Sequence, residues 1–176
     1  MNSQILYSKN IFREYDIRGV FNTDFNTPFA SLLARALVDL LVESNSGIKS
    51  KDKLKVAVGF DARLSGPELS DIFRRTLLSC GVNVVDIGLV PTPLVYFAAE
   101  KLDIDSAVAI TGSHNPSEYN GFKICVGKGT LHGKKIQDLL VRCQKLEKIP
   151  FELISKYDGD KYQKMDMRPS YVSDVL

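Results

Sequence analysis

Short apolar strands alternate with amphipathic helices along most of this chain, and this alternation restricts its fold more than any other feature. Strand-like apolar runs lie at residues 55–60, 82–87 and 106–110, and a helical pattern follows each of the first two. Parallel strands need crossover connections of this kind, and such sheets are covered by helices on both faces. The sequence therefore predicts an α/β fold, a three-layer αβα domain with a mostly parallel, mixed sheet.

Apolar spacing and punctuating residues set the expected bounds of the other elements. Apolar residues at i, i+3, i+4 and i+7 predict a helix over residues 28–43, with Thr27 as its N-cap. Residues 12–21 are interpreted as an extended segment and a loop that turns at Gly19. The remaining elements are expected to be helices over 67–80, 93–102 and 134–147 and a fourth strand over 121–126.

The chain divides into a folded part and a tail. Residues 1–150 carry the alternating pattern and form the expected α/β domain. Residues 151–176 are polar and lack periodicity, which favours a linker rather than a part of the core. Asp158-Gly159-Asp160 in this tail could ligate a hard cation, but no strand precedes it and no EF-hand pattern is completed. A solvated turn is the better interpretation.

Composition limits the expected partners and compartment. The 176 residues carry a formal net charge of +2 and no tryptophan, so nothing favours binding to nucleic acid or to an anionic membrane. No apolar run approaches the length of a membrane span, and the N-terminus lacks a signal-peptide pattern. Cys80, Cys125 and Cys143 form no zinc pattern and are expected to be free thiols. These features predict a cytoplasmic protein.

A loop that contains a serine carries the strongest functional signal. Residues 111–116 are Thr-Gly-Ser-His-Asn-Pro, and they follow the third central strand. Ligands bind at the carboxyl edge of parallel sheets, so this position brings Ser113 toward Asp61 and Arg63. From residue types alone, Ser113 either caps a local turn or handles phosphate. A Ser–His hydrolase is disfavoured because His114 is adjacent on the chain and the Gly-x-Ser-x-Gly elbow is absent.

A phosphate-handling role would need cations near Ser113. Arg18 and Lys123 are the candidates, although a residue of either type, taken alone, is more often a solvated surface charge. Gly19 beside Arg18, and Gly121 as a hinge near Lys123, favour functional loops at both positions. Asp61 and Arg63 are interpreted as an ion pair at the entry of a helix.

Four stretches, in order along the chain, resemble the α-D-phosphohexomutase family in its phosphomannomutase/phosphoglucomutase branch. They are residues 12–19, Phe-Arg-Glu-Tyr-Asp-Ile-Arg-Gly; 58–68, Val-Gly-Phe-Asp-Ala-Arg-Leu-Ser-Gly-Pro-Glu; 88–93, Gly-Leu-Val-Pro-Thr-Pro; and 111–123, which holds Thr-Gly-Ser-His-Asn-Pro and Asn-Gly-Phe-Lys. Each stretch alone is a weak signal, but four in order are specific. The resemblance covers about residues 11–148.

The resemblance implies an intramolecular phosphotransferase of the isomerase class. Such an enzyme interconverts hexose 1-phosphate and hexose 6-phosphate through a phosphoserine and a hexose 1,6-bisphosphate. Ser113 would carry the phosphoryl group, and an oxygen of that phosphate would bind Mg²⁺. Arg18 and Lys123 would flank the transferring phosphate, bind substrate and help to move protons. The other substrate-binding residues that the resemblance implies are Tyr15, His114 and Asn115.

The resemblance extends only to the first of the family's four domains. The second-domain Asp-Gly-Asp-Gly-Asp-Arg metal loop and the third-domain Gly-Glu-x-Ser-Gly-His sugar loop have no counterpart here. We therefore expect a fragment that is nearly inactive alone, whose partners are mannose or glucose phosphate, Mg²⁺ and domains 2–4 in cis. The alternatives are a non-catalytic phosphoprotein or binding module of the same fold, and a phosphoglucosamine mutase-type relative.

Overall fold

The computed structural model describes residues 4–44, 50–154 and 159–176. In this part of the chain the strands are β1 (Ile17–Val20), β2 (Lys55–Phe60), β3 (Asn83–Leu89), β4 (Ser106–Ile110), β5 (Tyr119–Val126), β6 (Gly129–Thr130) and β7 (Tyr162–Lys164). The helices are α1 (Thr27–Ser44), α2 (Gly66–Ser79), α3 (Thr92–Lys101), α4 (Lys134–Leu146) and α5 (Arg168–Val175). None of these described helices combines the length and the apolar character needed to cross a bilayer.

The strands form one mixed sheet with the order β1-β5-β4-β2-β3-β7, and β6 pairs with β5. Its centre is parallel, because β2 pairs in parallel with both β3 and β4, and β7 continues the parallel part beside β3. On the other side β5 runs antiparallel to both β4 and β1. The predicted α/β fold with a mixed sheet is confirmed.

Two apolar cores lie on opposite faces of the sheet. On β4, Val108 belongs to one core and its neighbours Ala107 and Ala109 belong to the other, as the alternation of side chains along a strand requires. Helices α1, α2 and α4 pack around the first core, which contains Phe29, Phe73 and Phe122. Helix α3 packs on the second face, against β2 and β4. Burial on both faces explains why the central strands are continuous apolar runs.

Most elements begin and end within one or two residues of their predicted positions. The N-cap of α1 differs, because Asn26 rather than Thr27 supplies the capping oxygen. Asn26 Oδ1 accepts from the Phe29 N–H at 3.3 Å. Strand β3 extends to Leu89, two residues beyond the predicted end at residue 87.

Two glycines have roles other than those predicted. Gly19 does not form a turn, because it lies within β1 and pairs with Asn120 of β5. Gly121 is not a hinge, because it lies within β5. A Cβ added at Gly121 would lie 2.1 Å from the carbonyl oxygen of Ile17. Glycine is therefore needed at 121 so that β1 and β5 can approach each other.

The tail contains more regular structure than the linker that the sequence predicts. Strand β7 extends the sheet beside β3, and α5 packs on α3 with the Phe97 and Tyr171 ring centroids 5.2 Å apart. Met167 is buried in the second core. Strand β7 was not predicted, because an edge strand of three residues is too short to show periodicity in the sequence. Asp158, in the turn considered for metal, lies outside the described residues, and the domain boundary at residue 150 stays a prediction.

Candidate functional site

The sheet topology places the serine loop at a switch point. From β2 the chain crosses to β3 on one side, and from β3 it returns to β4 on the other side of β2. Ligands bind where the strand order reverses in this way. Phe60 of β2 and Ile110 of β4 are register partners, and the Asp61 N–H donates to the Ile110 carbonyl at 3.0 Å. The loops that carry Arg63 and Ser113 therefore start side by side, as the sequence predicts.

Ser113 has a backbone conformation that residues with a side chain rarely adopt. Its φ angle is +56°, in the left-handed region. Its N–H donates to Thr111 Oγ1 at 2.8 Å, and its carbonyl accepts from Arg63 Nη2 at 2.9 Å. Its hydroxyl has no hydrogen-bond partner among the described residues. The loop thus fixes the backbone on both sides of Ser113 and leaves the hydroxyl available for chemistry.

The two predicted cations, Arg18 and Lys123, meet at a single carboxylate. Lys123 Nζ lies 3.0 Å from Asp16 Oδ2, and Arg18 Nη2 forms an ion pair with the same oxygen. The Asp16 side chain is only 8% exposed, and those of Arg18 and Lys123 are 15% and 19% exposed. The shared carboxylate offsets the repulsion between the two cations, and the cluster keeps a net positive charge.

Asn115 joins this cluster to the serine loop. Arg18 Nη1 donates to Asn115 Oδ1 at 2.9 Å, a contact between β1 and the loop after β4. Arg18 Nε is buried and has no hydrogen-bond partner among the described residues. A buried donor without an acceptor is unfavourable. The structure thus brings together Arg18, Lys123 and Asn115 around the loop of Ser113.

Tyr15 and His114 are not joined to this cluster by a hydrogen bond within the described part of the chain. The Tyr15 side chain is 72% exposed, and His114 is exposed as well. Each is adjacent in sequence to a residue of the site, because Tyr15 precedes Asp16 and His114 follows Ser113. Within the described residues His114 forms no hydrogen bond to the Ser113 hydroxyl, as a base would, and this also disfavours a Ser–His hydrolase. The roles of both side chains in substrate binding stay predictions.

Sequence reasoning missed Asp16 and assigned too small a role to Arg63. Asp16 lies two residues before Arg18, and that spacing puts both side chains on one face of an extended segment. This spacing was the available signal for the ion pair. The predicted ion pair of Asp61 and Arg63 exists, with Nε 3.3 Å from Oδ2. Arg63 also donates to backbone carbonyls of the serine loop, which no sequence pattern indicates.

The described residues do not supply a complete site for a metal ion. No group of three or more His, Cys, Asp or Glu side chains in that part of the chain is arranged to hold one. The carboxylates that contact the basic side chains around the serine loop are Asp16 and Asp61, and both are already paired with those side chains. The donor set of the described residues therefore does not by itself fit a Mg²⁺ site.

Comparison with known proteins identifies relatives of this chain. Residues 9–148 match the family described as Phosphoglucomutase/phosphomannomutase, alpha/beta/alpha domain I. A phosphomannomutase/phosphoglucomutase of Pseudomonas aeruginosa PAO1 is 45% identical over 136 residues, which are 77% of this chain and 28% of that protein. A phosphoglucomutase of Neisseria meningitidis serogroup B is 43% identical over 133 residues, which are 76% of this chain and 27% of that protein.

A solved structure agrees with these matches. A phosphoglucomutase/phosphomannomutase family protein of Burkholderia thailandensis superposes with a TM-score of 0.78 at 37% identity, covering 97% of this chain and 36% of that one. The chain spans about a quarter of the length of the curated relatives it matches. The matched residues include the serine loop and the cation cluster. This chain belongs to the phosphoglucomutase/phosphomannomutase family and matches its first α/β/α domain.

Proposed function

We propose that this chain carries the phosphoryl-accepting serine of a hexose phosphate mutase, and that Ser113 is this serine. One observation carries the proposal: Arg18 and Lys123 are held on Asp16, and Asn115 joins them to the loop of Ser113. Phosphoryl transfer depends mainly on positioning and on neutralising the charge of the phosphate. Two fixed cations beside a loop with an unpaired serine hydroxyl support that chemistry.

The proposed reaction exchanges one phosphorus–oxygen bond for another. A hydroxyl of the hexose monophosphate attacks the phosphorus of phosphorylated Ser113, the bond from phosphorus to Oγ breaks, and Oγ leaves as the hydroxyl after it gains a proton. The product is a hexose 1,6-bisphosphate. After this intermediate turns over in the site, Ser113 Oγ attacks its other phosphate, and the second hexose monophosphate leaves. The net result moves phosphate between O1 and O6.

The residues around Ser113 have distinct proposed roles. Arg18 and Lys123 neutralise the charge of the phosphoryl group, and Lys123 Nζ is also suited to passing a proton because an amine carries exchangeable protons. Asn115 keeps Arg18 in place by accepting from Nη1. The exposed Tyr15 would line the sugar site, and His114 would shape the loop and contact substrate.

The proposed substrates are mannose and glucose phosphates. The names of the relatives support this class, since they are a phosphomannomutase/phosphoglucomutase and a phosphoglucomutase. The chain spans about a quarter of their length, so domains 2–4 in cis are proposed to complete the site. We expect the chain to be nearly inactive without them. Assays with glucosamine phosphate would distinguish a phosphoglucosamine mutase-type relative, which would use the same serine.

We propose that Mg²⁺ would bind to this chain only through the phosphate on Ser113. The described carboxylates do not complete a metal site, so a phosphate oxygen on Ser113 is the one ligand that we assign to this chain. The ion would neutralise charge on the transferring phosphoryl group, as divalent ions do in phosphoryl transfer. Arg18 and Lys123 would add to that neutralisation from the protein side.

Intact-mass measurement and peptide mapping test the proposal. The protein that carries this sequence, with any residues that its gene encodes on either side, is incubated with glucose 1,6-bisphosphate. We expect one phosphoryl group on the peptide that contains Ser113 and none in Ser113→Ala. Ser117→Ala is the matched control, because Ser117 is an exposed serine of the same loop and its loss should change nothing. An unmodified Ser113 in the wild-type protein would contradict the proposal and favour a non-catalytic binding module.

A further inference from the structure

We infer that Arg63 is a positioning residue for phosphoryl transfer at Ser113. Its guanidinium holds the backbone of the serine loop, and through that backbone it fixes the places of the Ser113 hydroxyl and the Asn115 side chain. The inference rests on the proposed function, because it concerns the same site. Its evidence is separate, because it depends on contacts of the loop backbone and not on the cation cluster.

The guanidinium of Arg63 donates to four backbone carbonyls, three in the serine loop and one at Tyr119, the first residue of β5. Nη2 donates to the carbonyls of Ser113 and Asn115 at 2.9 and 2.7 Å, and Nη1 donates to those of Tyr119, at 2.9 Å, and Pro116. The remaining N–H, on Nε, donates to Asp61 Oδ2 in the same loop at 3.3 Å. A guanidinium has five N–H donors, and here each has an acceptor. No other side-chain type could make this set of contacts.

Gly112 provides the space for this guanidinium. A Cβ added at residue 112 would lie 2.3–2.7 Å from the nearest guanidinium atoms of Arg63. Real side chains do not tolerate contacts that short, so any other residue at 112 would displace the guanidinium or the loop. The guanidinium of Arg63, in the loop after β2, therefore requires a glycine at residue 112, in the loop after β4.

Asp61 extends this support to the other side of Ser113. Asp61 Oδ2 accepts from Arg63 Nε and also from Thr111 Oγ1 at 2.7 Å. Thr111 Oγ1 in turn accepts from the Ser113 N–H at 2.8 Å. The N–H and the carbonyl of Ser113 are thus held by side chains that meet at Asp61. A strained backbone persists only where its surroundings overdetermine it, and this arrangement explains the positive φ of Ser113.

Arg63 acts through its neighbours and not on the phosphate. All five of its donors are occupied, and its side chain is only 12% exposed. It holds the Asn115 carbonyl, while the Asn115 side chain accepts from Arg18. Loss of Arg63 would therefore release both the serine and the contact that ties Arg18 to the loop.

The rate of Ser113 phosphorylation by glucose 1,6-bisphosphate tests this inference, in the protein that carries this sequence. We expect Arg63→Ala to be slower by about 100-fold, while the concentration that gives half the maximal rate changes by less than about threefold. Added ethylguanidinium should raise the phosphorylation rate of Arg63→Ala by at least about tenfold, because the space left by the arginine side chain fits a guanidinium. Arg63→Lys should remain slow, since one ammonium cannot reach four carbonyls.

Matched controls separate positioning from stability. Arg142 on α4 is about as buried as Arg63, with a side chain that is 13% exposed, and it pairs with Asp39, Glu43 and Asp138. Arg142→Ala should leave the rate within about threefold of wild type and should not respond to ethylguanidinium. If Arg63→Ala does not fold, Gly112→Ala displaces the guanidinium without removing it and should also slow the reaction. Gly129→Ala is its control, because a Cβ there has its nearest neighbour 3.9 Å away.

The outcomes distinguish the two proposals. A wild-type protein that is not phosphorylated at Ser113 overturns the proposed function and this inference with it. A phosphorylated wild type, together with variants at 63 and 112 that react at the wild-type rate, overturns only the role of Arg63. A slow Arg63→Ala that ethylguanidinium does not rescue and that also binds substrate weakly would show a merely structural arginine, which contradicts positioning.

Discussion

At the scale of single residues, Asp16 determines where the two cations of the site lie. Its side chain is 8% exposed and accepts from both Arg18 and Lys123. Without its charge, two mostly buried cations would face each other with no counter-ion between them. Removing one partner of a buried ion pair lowers the free energy of unfolding, because the remaining charges stay desolvated.

Asp16→Asn tests this role, since it keeps the shape of the side chain and removes its charge. We expect the free energy of unfolding to fall by about 2 kcal/mol and Ser113 phosphorylation to slow by about tenfold. Urea unfolding and peptide mapping measure the two effects. Asp166→Asn is the matched control, because Asp166 also pairs with an arginine two residues later but is exposed. Equal effects of the two substitutions would argue against a special role for Asp16.

At the scale of elements, the pairing of β1 with β5 assembles the cation cluster. It carries Arg18 on one strand and Lys123 on the other, and it requires the close approach that Gly121 permits. The sequence predicted neither the strand β1 nor this pairing, because β1 has four residues and includes Gly19. Arg18 and Lys123 could therefore be named as candidates from the sequence. The spacing of Asp16 and Arg18 was a signal for their ion pair, but the contact of Lys123 with the same carboxylate depends on the pairing of β1 with β5.

Gly121→Ala tests the contribution of this pairing. The added Cβ would lie 2.1 Å from the Ile17 carbonyl oxygen, so β1 must move away from β5. We expect a loss of about 2–3 kcal/mol in the free energy of unfolding, the range of an overpacked interior. Phosphorylation of Ser113 should fall as well, because Arg18 moves with β1. Gly159→Ala, whose added Cβ would have no atom of the described residues within 4 Å, should leave both quantities unchanged.

At the scale of the whole molecule, the parallel centre of the sheet explains how much could be predicted. Parallel strands are buried on both faces and have continuous apolar runs, so β2 and β4 could be recognised in the sequence. Because these two strands end at the same edge of the sheet, the sequence also predicted that Ser113 lies near Asp61 and Arg63. Strand β5 was also predicted, but β1, β6 and β7 have only four, two and three residues, so their pairing depends on tertiary contacts that no local pattern records. The proposed chemistry of the site needs both parts of the sheet.

We expect stability at alkaline pH to depend on a thiol in the first core, that of Cys143. Burial raises the pKa of Cys143 to about 12, whereas a thiol in an unfolded chain has a pKa of about 8.5. Between these values the unfolded state loses the proton and the folded state keeps it. The free energy of unfolding should therefore fall as pH rises above about 9, by up to about 1.4 kcal/mol per pH unit from this group.

Urea unfolding of the wild type and Cys143→Ala between pH 8 and 11, with a phosphine reductant, measures this dependence. We expect Cys143→Ala to be the less stable variant at pH 8, because it leaves a cavity, and its deficit to shrink as the pH rises. Ile136→Val, another buried change on α4, introduces no titrating group, so its deficit should stay constant. A deficit of Cys143→Ala that does not change with pH would mean that the Cys143 thiol ionises equally in both states. The same result would remove the link between core burial and alkaline unfolding.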